Sequence, residues 1–133
     1  MQQTVLRLQW QNRLVQEYLE AHPDYHPKSM LAVLVFAYCS AVFDSESIAR
    51  LCQAETPFRA LCQGGAPFAH ELTNFRRKNR ALIEKVLAGV LLRAICYRFG
   101  LDHRVVPVEM DEDLRERASE RLDIARHMDV VDA

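Results

Sequence analysis

The sequence has little of what turns require: four glycines and five prolines in 133 residues. That scarcity argues against an all-β protein, in which short strands alternate with Gly- and Pro-rich turns. It also has no Cys-x-x-Cys pair. Cys39, Cys52, Cys62 and Cys96 stand 13, 10 and 34 residues apart, whereas structural zinc ligands come in close pairs. Buried, reduced thiols are the better reading, and no metal or cofactor is expected. No apolar run reaches the ~20 residues that a bilayer demands. The most apolar stretch, residues 30–43, is fourteen long and begins too late for a signal peptide, and the N-terminal MQQTVLRLQW lacks the basic-then-apolar layout of one. A cytoplasmic protein without a membrane partner is expected. The serines have no paired His and acid, and Gly64-Gly65 is too short to cradle a phosphate. No catalytic residue is therefore assigned.

What is present is a globular composition, 50% hydrophobic and 26% charged, at a length suited to one domain. The net charge of −1 conceals an asymmetry. Residues 1–69 carry 5 basic and 6 acidic side chains (net −1), residues 70–104 carry 8 and 3 (net +5), and residues 105–133 carry 4 and 9 (net −5). A basic middle before an acidic end suggests an anionic partner.

The apolar spacing is mostly helical as far as Gly100, where the pattern changes. Residues 5–21 place Leu8, Trp10, Leu14, Val15, Tyr18 and Leu19 on one face, so core packing is the default for Trp10 and Tyr18. Pro23 and Pro27 demand an extended link at 22–27. A second helix opens at Lys28 or Ser29 and is apolar nearly all round through Phe43, the mark of a central helix. Asp44 or Ser45 caps a third over 46–54. Pro57 suits the first turn of a short fourth helix ending near Gly64-Gly65. A long fifth helix, from 67–71 to about Phe99, is stopped by Gly100. Val105-Val106-Pro107-Val108 reads as a short extended piece. Asp111-Glu112-Asp113 opens a last helix with Leu114, Ala118, Leu122 and Ala125, too little apolar surface for a core element. The expectation is an all-α compact bundle of five or six helices over residues 1–104, with a helix-turn-helix-like short pair and an acidic C-terminal arm over 105–133.

Several blocks follow one another in a familiar order: Tyr25-His26-Pro27-Lys28, then Tyr38-Cys39-Ser40, Asp44-Ser45-Glu46-Ser47-Ile48-Ala49-Arg50 and Thr56-Pro57-Phe58-Arg59-Ala60-Leu61. The series closes with Pro67-Phe68-Ala69-His70-Glu71-Leu72-Thr73-Asn74-Phe75-Arg76-Arg77-Lys78-Asn79-Arg80. Over about residues 22–100 this resembles the N-terminal domain of InsH-like DDE-type insertion-sequence transposases. The resemblance implies a helical DNA-binding and assembly domain preceding a ribonuclease-H-like domain, where three carboxylates hold two metal ions. Asp111 stands roughly where the first such carboxylate is expected. It is followed by Glu112-Asp113-Leu114 rather than Gly-Thr, and it precedes a helix rather than ending a core strand. Two-metal chemistry needs carboxylates fixed on a rigid frame, so a non-enzymatic module lacking the catalytic domain is expected.

Arg76, Arg77, Lys78 and Arg80 form the densest basic cluster. Read near a helix N-terminus, it suits phosphate, with Arg76 and Arg80 at i, i+4 gripping neighbouring phosphates from one exposed side; the bland alternative is a solvated face. His70 is either a phosphate donor or, preferably, a residue fixing the entry of the fifth helix. Arg50 and Arg59 reach DNA if helices three and four pair as a helix-turn-helix, and otherwise only solubilise. The expected partner is DNA, transposon ends or a related duplex. The alternatives are a protein–protein module or truncated regulator pairing with itself or a full-length transposase, and a remnant without a role.

Overall fold

The structure, a computed structural model, describes the backbone of residues 2–22, 28–62 and 65–132, excluding the side chains of residues 2–10, Lys28 and residues 130–132. The link expected at 22–27 lies, but for His22, outside the described residues, as does the side chain of Trp10. Among the described residues seven α-helices follow in order: α1 (Gln2–Glu20), α2 (Lys28–Cys39), α3 (Ser45–Ala54), α4 (Thr56–Arg59), α5 (Ala69–Lys78), α6 (Arg80–Phe99) and α7 (Val108–Asp132). No strand occurs among the described residues. The fold is all-α, as composition and periodicity imply.

α2 is the central helix. Leu31, Leu34, Val35, Phe36 and Ala37 have no exposed surface, so its apolar residues are used on every side. Leu14, Val15, Tyr18 and Leu19 of α1 and Ile83, Val86, Leu87 and Val90 of α6 join it in the core, which Ile48, Phe58, Leu72 and Leu122 extend into α3, α4, α5 and α7. α2 stops at Cys39, four residues earlier than the apolar run suggests. Val42 N–H bonds to Ala37 O at 2.9 Å and Ala41 N–H to Tyr38 O at 3.3 Å, with Ala41 at φ 62°. This is a Schellman cap, with alanine where glycine is usual. Asp44 then caps α3 by accepting from Ser47 N–H at 3.0 Å. Burial pushes its carboxyl up, but the bonds from Ser47 outweigh that and leave it below the usual value.

Three expectations need correction. The long fifth helix is two helices, because Asn79 (φ −125°, ψ 28°) ends α5 and starts α6. Its side-chain amide donates to Phe75 O at 3.1 Å beside its own N–H at 2.9 Å, the local competition through which Asn interrupts helices. Residues 105–108 are not one extended piece: Val105 closes a 3-10 turn (His103–Val105), Val106 is extended (φ −86°, ψ 153°), and α7 begins at Val108. The acidic helix, expected to carry too little apolar surface for a core element, is one: Leu114, Ala118, Leu122 and Ala125 are all but fully buried, and α7 lies along α6. Its seam is narrow, but the two alanines let the helices approach closely and every apolar residue on it is used. Arg121 donates to Tyr38 O, fastening α7 to a terminal carbonyl of α2.

α3 and α4 are neighbours joined through Glu55, but α4 is a single turn ending at Arg59. It is too short to serve as a recognition helix. Cys39, Cys52 and Cys96 are buried and Cys62 half-buried, all as free thiols. Burial pushes the Cys39 thiol up to about 12 against the pull of Arg121, and burial with its Cys62 neighbour does the same to Cys52.

Candidate nucleic-acid interface

The residues of α5 divide by helical spacing. Leu72, Phe75 and Arg76 face inward, while His70, Asn74 and Arg77, at i, i+4 and i+7, are exposed. These three, with Ala69 and Thr73, form one wall of a surface cleft of about 310 Å³ whose other wall is Ser45 and Glu46, the first turn of α3. The first turn of a helix leaves N–H groups without intrahelical partners and carries partial positive charge. Asp44 takes one of these N–H groups, that of Ser47.

At the back of the cleft lies Asp129 of α7. Its Oδ1 accepts from Ser45 N–H at 2.9 Å. Its Oδ2 accepts from Ser45 Oγ and Arg76 Nη2, both at 2.9 Å, and from Thr73 Oγ1 at 3.3 Å. The single Thr73 hydroxyl proton is shared between that oxygen and the nearer Ser45 Oγ at 2.9 Å. The ion pair is deep, with Arg76 3% and Asp129 7% exposed. Arg76 Nε is buried and has no hydrogen-bond partner. Tyr38 adjoins the pair: burial pushes its phenol up, Arg76 opposes this and Asp129 adds to it.

This arrangement corrects the expected placement of the basic cluster. Arg76, Arg77 and Lys78 occupy the last turn of α5, not a helix N-terminus. The last turn is where the dipole favours cations. Arg76 and Arg80 do not share one exposed side, since the break at Asn79 puts them on different helices. Arg76 is buried against Asp129. Arg80 bonds Glu84 at 2.8 Å and Asp123 at 2.7 Å, and these two carboxylates hold its guanidinium more firmly protonated than usual. Both arginines therefore clamp α7.

Of the other candidates, Arg77 and His70 line the cleft, the His70 ring stacked on Phe68 with centroids 5.8 Å apart. Lys78, Arg50 and Arg59 are exposed but outside its lining. Arg50 reaches back to Ser47 Oγ at 3.1 Å. Sequence reasoning missed Ser45, Thr73 and Asp129 as members of one cluster. A signal existed for Arg76, which stands at i+4 from the core residue Leu72. None existed for Asp129, 53 positions further along the chain.

Fold and cleft describe an all-α domain with a polar surface groove in which Arg77 and His70 stand near Glu46 and Asp129. Residues 3–78 match the model of the transposase domain family DUF772, more than half of the chain, and the chain belongs to that family. The match takes in α1, which the sequence resemblance left out, and ends at the last residue of α5. No curated protein and no solved structure gives a significant match. No helix among the described residues is long and apolar enough to cross a membrane.

Proposed function

We propose that this protein is a cytoplasmic DNA-binding module of transposition that docks on the phosphate backbone through the α5 face and the first turn of α3. The observation that carries this reading is the convergence of His70, Asn74 and Arg77 across the cleft from the first turn of α3 in a member of a transposase domain family. Helix N-termini and exposed arginines are the groups that position proteins on phosphates. Binding rather than catalysis is its role. Asp111 sits in the first turn of α7 and pairs with Arg115 at 3.2 Å, instead of ending a strand as a metal-binding carboxylate of the catalytic domain does. Bases are read by a part of the domain other than α4.

The test is a duplex-binding titration across a salt series with Arg77→Ala/Lys78→Ala. Both side chains are exposed, so stability should change by no more than ~0.5 kcal/mol. Affinity should fall alike on any duplex sequence, and the slope of log affinity against log salt should shrink by ~0.9 for each phosphate that is no longer neutralised. Parental binding by the double variant at every salt concentration would reject this face. A second reading, pairing with itself or with a full-length transposase, is favoured by one observation. Phe99 (67%), Leu101 (50%), Val105 (77%) and Val108 (68%) are exposed close together in the chain at the α6–α7 junction, as in surfaces that meet another protein.

A further inference from the structure

We propose that Ser45, Thr73 and Arg76 form a phosphate-binding site, and that Asp129 is an internal plug which a DNA phosphate displaces. The inference rests on the DNA-binding reading and adds to it the site's occupant and its regulation.

The site already holds an anion. A carboxylate bound by a helix-N-terminal N–H, two hydroxyls and a guanidinium is a stand-in for two oxygens of a phosphate, which is recognised by the same donors. Arg76 shows that the carboxylate does not exhaust the site. Nη2 bonds Asp129, while the buried Nε goes without a partner. Nε and Nη2 lie on one edge of the guanidinium, the fork that two oxygens of a phosphate fill in a bidentate pair. A phosphodiester offers two charged oxygens and two ester oxygens, so it can satisfy Nε while keeping the bonds from Ser45 and Thr73. The cleft reaches Ser45, Thr73 and the Asp129 carboxylate that holds the buried Arg76, and His70, Asn74 and Arg77 stand at its wall to receive the adjoining backbone.

Displacement needs little of the fold to move. The buried seam of α7 ends at Ala125, and Arg126, His127 and Met128 are exposed. Asp129, its side chain 7% exposed, is then the last side chain of α7 held against the body among the described residues. Releasing its turn leaves Leu114, Ala118, Leu122 and Ala125 in place. Exchange of carboxylate for phosphate keeps a negative charge against Arg76, so no buried cation is stranded, the costly outcome when one partner of a buried pair is simply removed. A bound plug lowers apparent affinity by the fraction of molecules in which the site is open.

The experiment compares the full chain with Asp129→Asn, which keeps the shape but removes the competing charge. Duplex binding should tighten about ten-fold or more, the gain expected when a site closed in nine molecules of ten is opened. Inorganic phosphate should shift the Ser45 amide resonance of this variant, and Thr73→Val added to it should cancel both effects. In the unaltered protein, which covers the case of a variant that does not fold, phosphate should speed hydrogen exchange in the last turn of α7 and spare Leu122. Chloride at equal ionic strength should do neither. Unchanged affinity of Asp129→Asn, with a Ser45 amide indifferent to phosphate, would overturn the plug while leaving DNA binding through Arg77 intact. A Ser45 amide that responds to inorganic phosphate in a protein that binds no duplex upholds the anion site and removes the DNA-binding reading instead. For a variant that does not fold, exchange in the last turn of α7 that is no faster in phosphate than in chloride rejects the proposal.

Discussion

Adjacent arginines in one cluster have opposite roles, and burial decides which. Arg76 is 3% exposed and shares its carboxylate with Ser45 and Thr73, whereas Arg77, the next residue, is exposed on the cleft wall. Breaking a buried pair by removing one partner costs ~3–5 kcal/mol, because the remaining charge is left in a poor solvent. Arg76→Ala is therefore expected to be strongly destabilising and Arg77→Ala nearly neutral, which paired denaturant titrations measure directly. Equal midpoints for the two variants would show that Asp129 is resolvated in solution. Ala41 presents the opposite case, a residue that opposes its own backbone. At φ 62° an L-residue carries ~1–2 kcal/mol of left-handed strain, partly offset by the ~0.5–1 kcal/mol that glycine loses in chain entropy. Ala41→Gly should thus stabilise the protein by ~0.5–1 kcal/mol, visible as a rise of a few degrees in Tm. A fall in Tm would mean that the methyl group makes a contact outweighing the strain.

At the level of the helices, local signals were legible and long-range ones were not. The cap at Asp44, the proline in the first turn of α4 and the left-handed Gly100 (φ 67°) after α6 are local chemistry, and the sequence pattern locates all three. The break at Asn79 was hidden because the apolar stripe runs on through Leu72, Phe75, Leu82 and Ile83, and periodicity alone reads across one non-helical residue. The packing of α7 was hidden for a different reason. Its apolar area is small, and it is the alternation of Leu with Ala, rather than the area, that matches it to α6. The site was legible only in part: His70, Arg76 and Arg77 stand out in the sequence, but which of them faces solvent depends on a partner 53 residues from Arg76. Gly89 shows the same dependence on a neighbour. A Cβ there would lie 2.4 Å from Tyr18 Cε2, and the Tyr18 ring is confined by His22, stacked at 4.3 Å, and by the Arg93 guanidinium at 4.8 Å. Helix propensity favours alanine by ~1 kcal/mol, whereas overpacking costs ~1–3 kcal/mol, and the confined ring places this site in the upper part of that range. Gly89→Ala should destabilise by ~1 kcal/mol and be rescued in combination with Tyr18→Leu. A single variant at least as stable as the parent in thermal melts would contradict close α1–α6 contact at this point.

Across the whole molecule, the charge asymmetry that suggests an anionic partner is already partly answered from within. The stretch with 8 basic and 3 acidic residues packs against the stretch with 4 and 9, and Arg76–Asp129 and Arg80–Asp123 join the two. The acidic helix is thus the first anion the basic helices meet, and what remains exposed for DNA is the set that α7 does not cover. This makes the attachment of α7 dependent on pH in a definite direction. The hydrogen bond from Arg80 holds the Asp123 carboxyl below its usual value, and Ser47 does the same for Asp44 at the start of α3 despite the opposing effect of burial. A carboxyl depressed by folding binds protons more readily in the unfolded chain. Its contribution is complete above the ordinary carboxylate pKa of ~3.9 and is lost as pH falls through the lower folded value. Stability should accordingly be flat with respect to these two groups from about pH 7 to pH 5 and decline below about pH 4. Asp123→Asn should flatten part of that decline, and added salt should do so as well, since Asp123 is exposed and its pair is open to screening. Thermal melts of the parent and the Asp123→Asn variant at stepped pH measure the difference. An identical acid limb in both would place the hold on α7 in its apolar seam and in the buried Asp129, with no part left for the exposed pair.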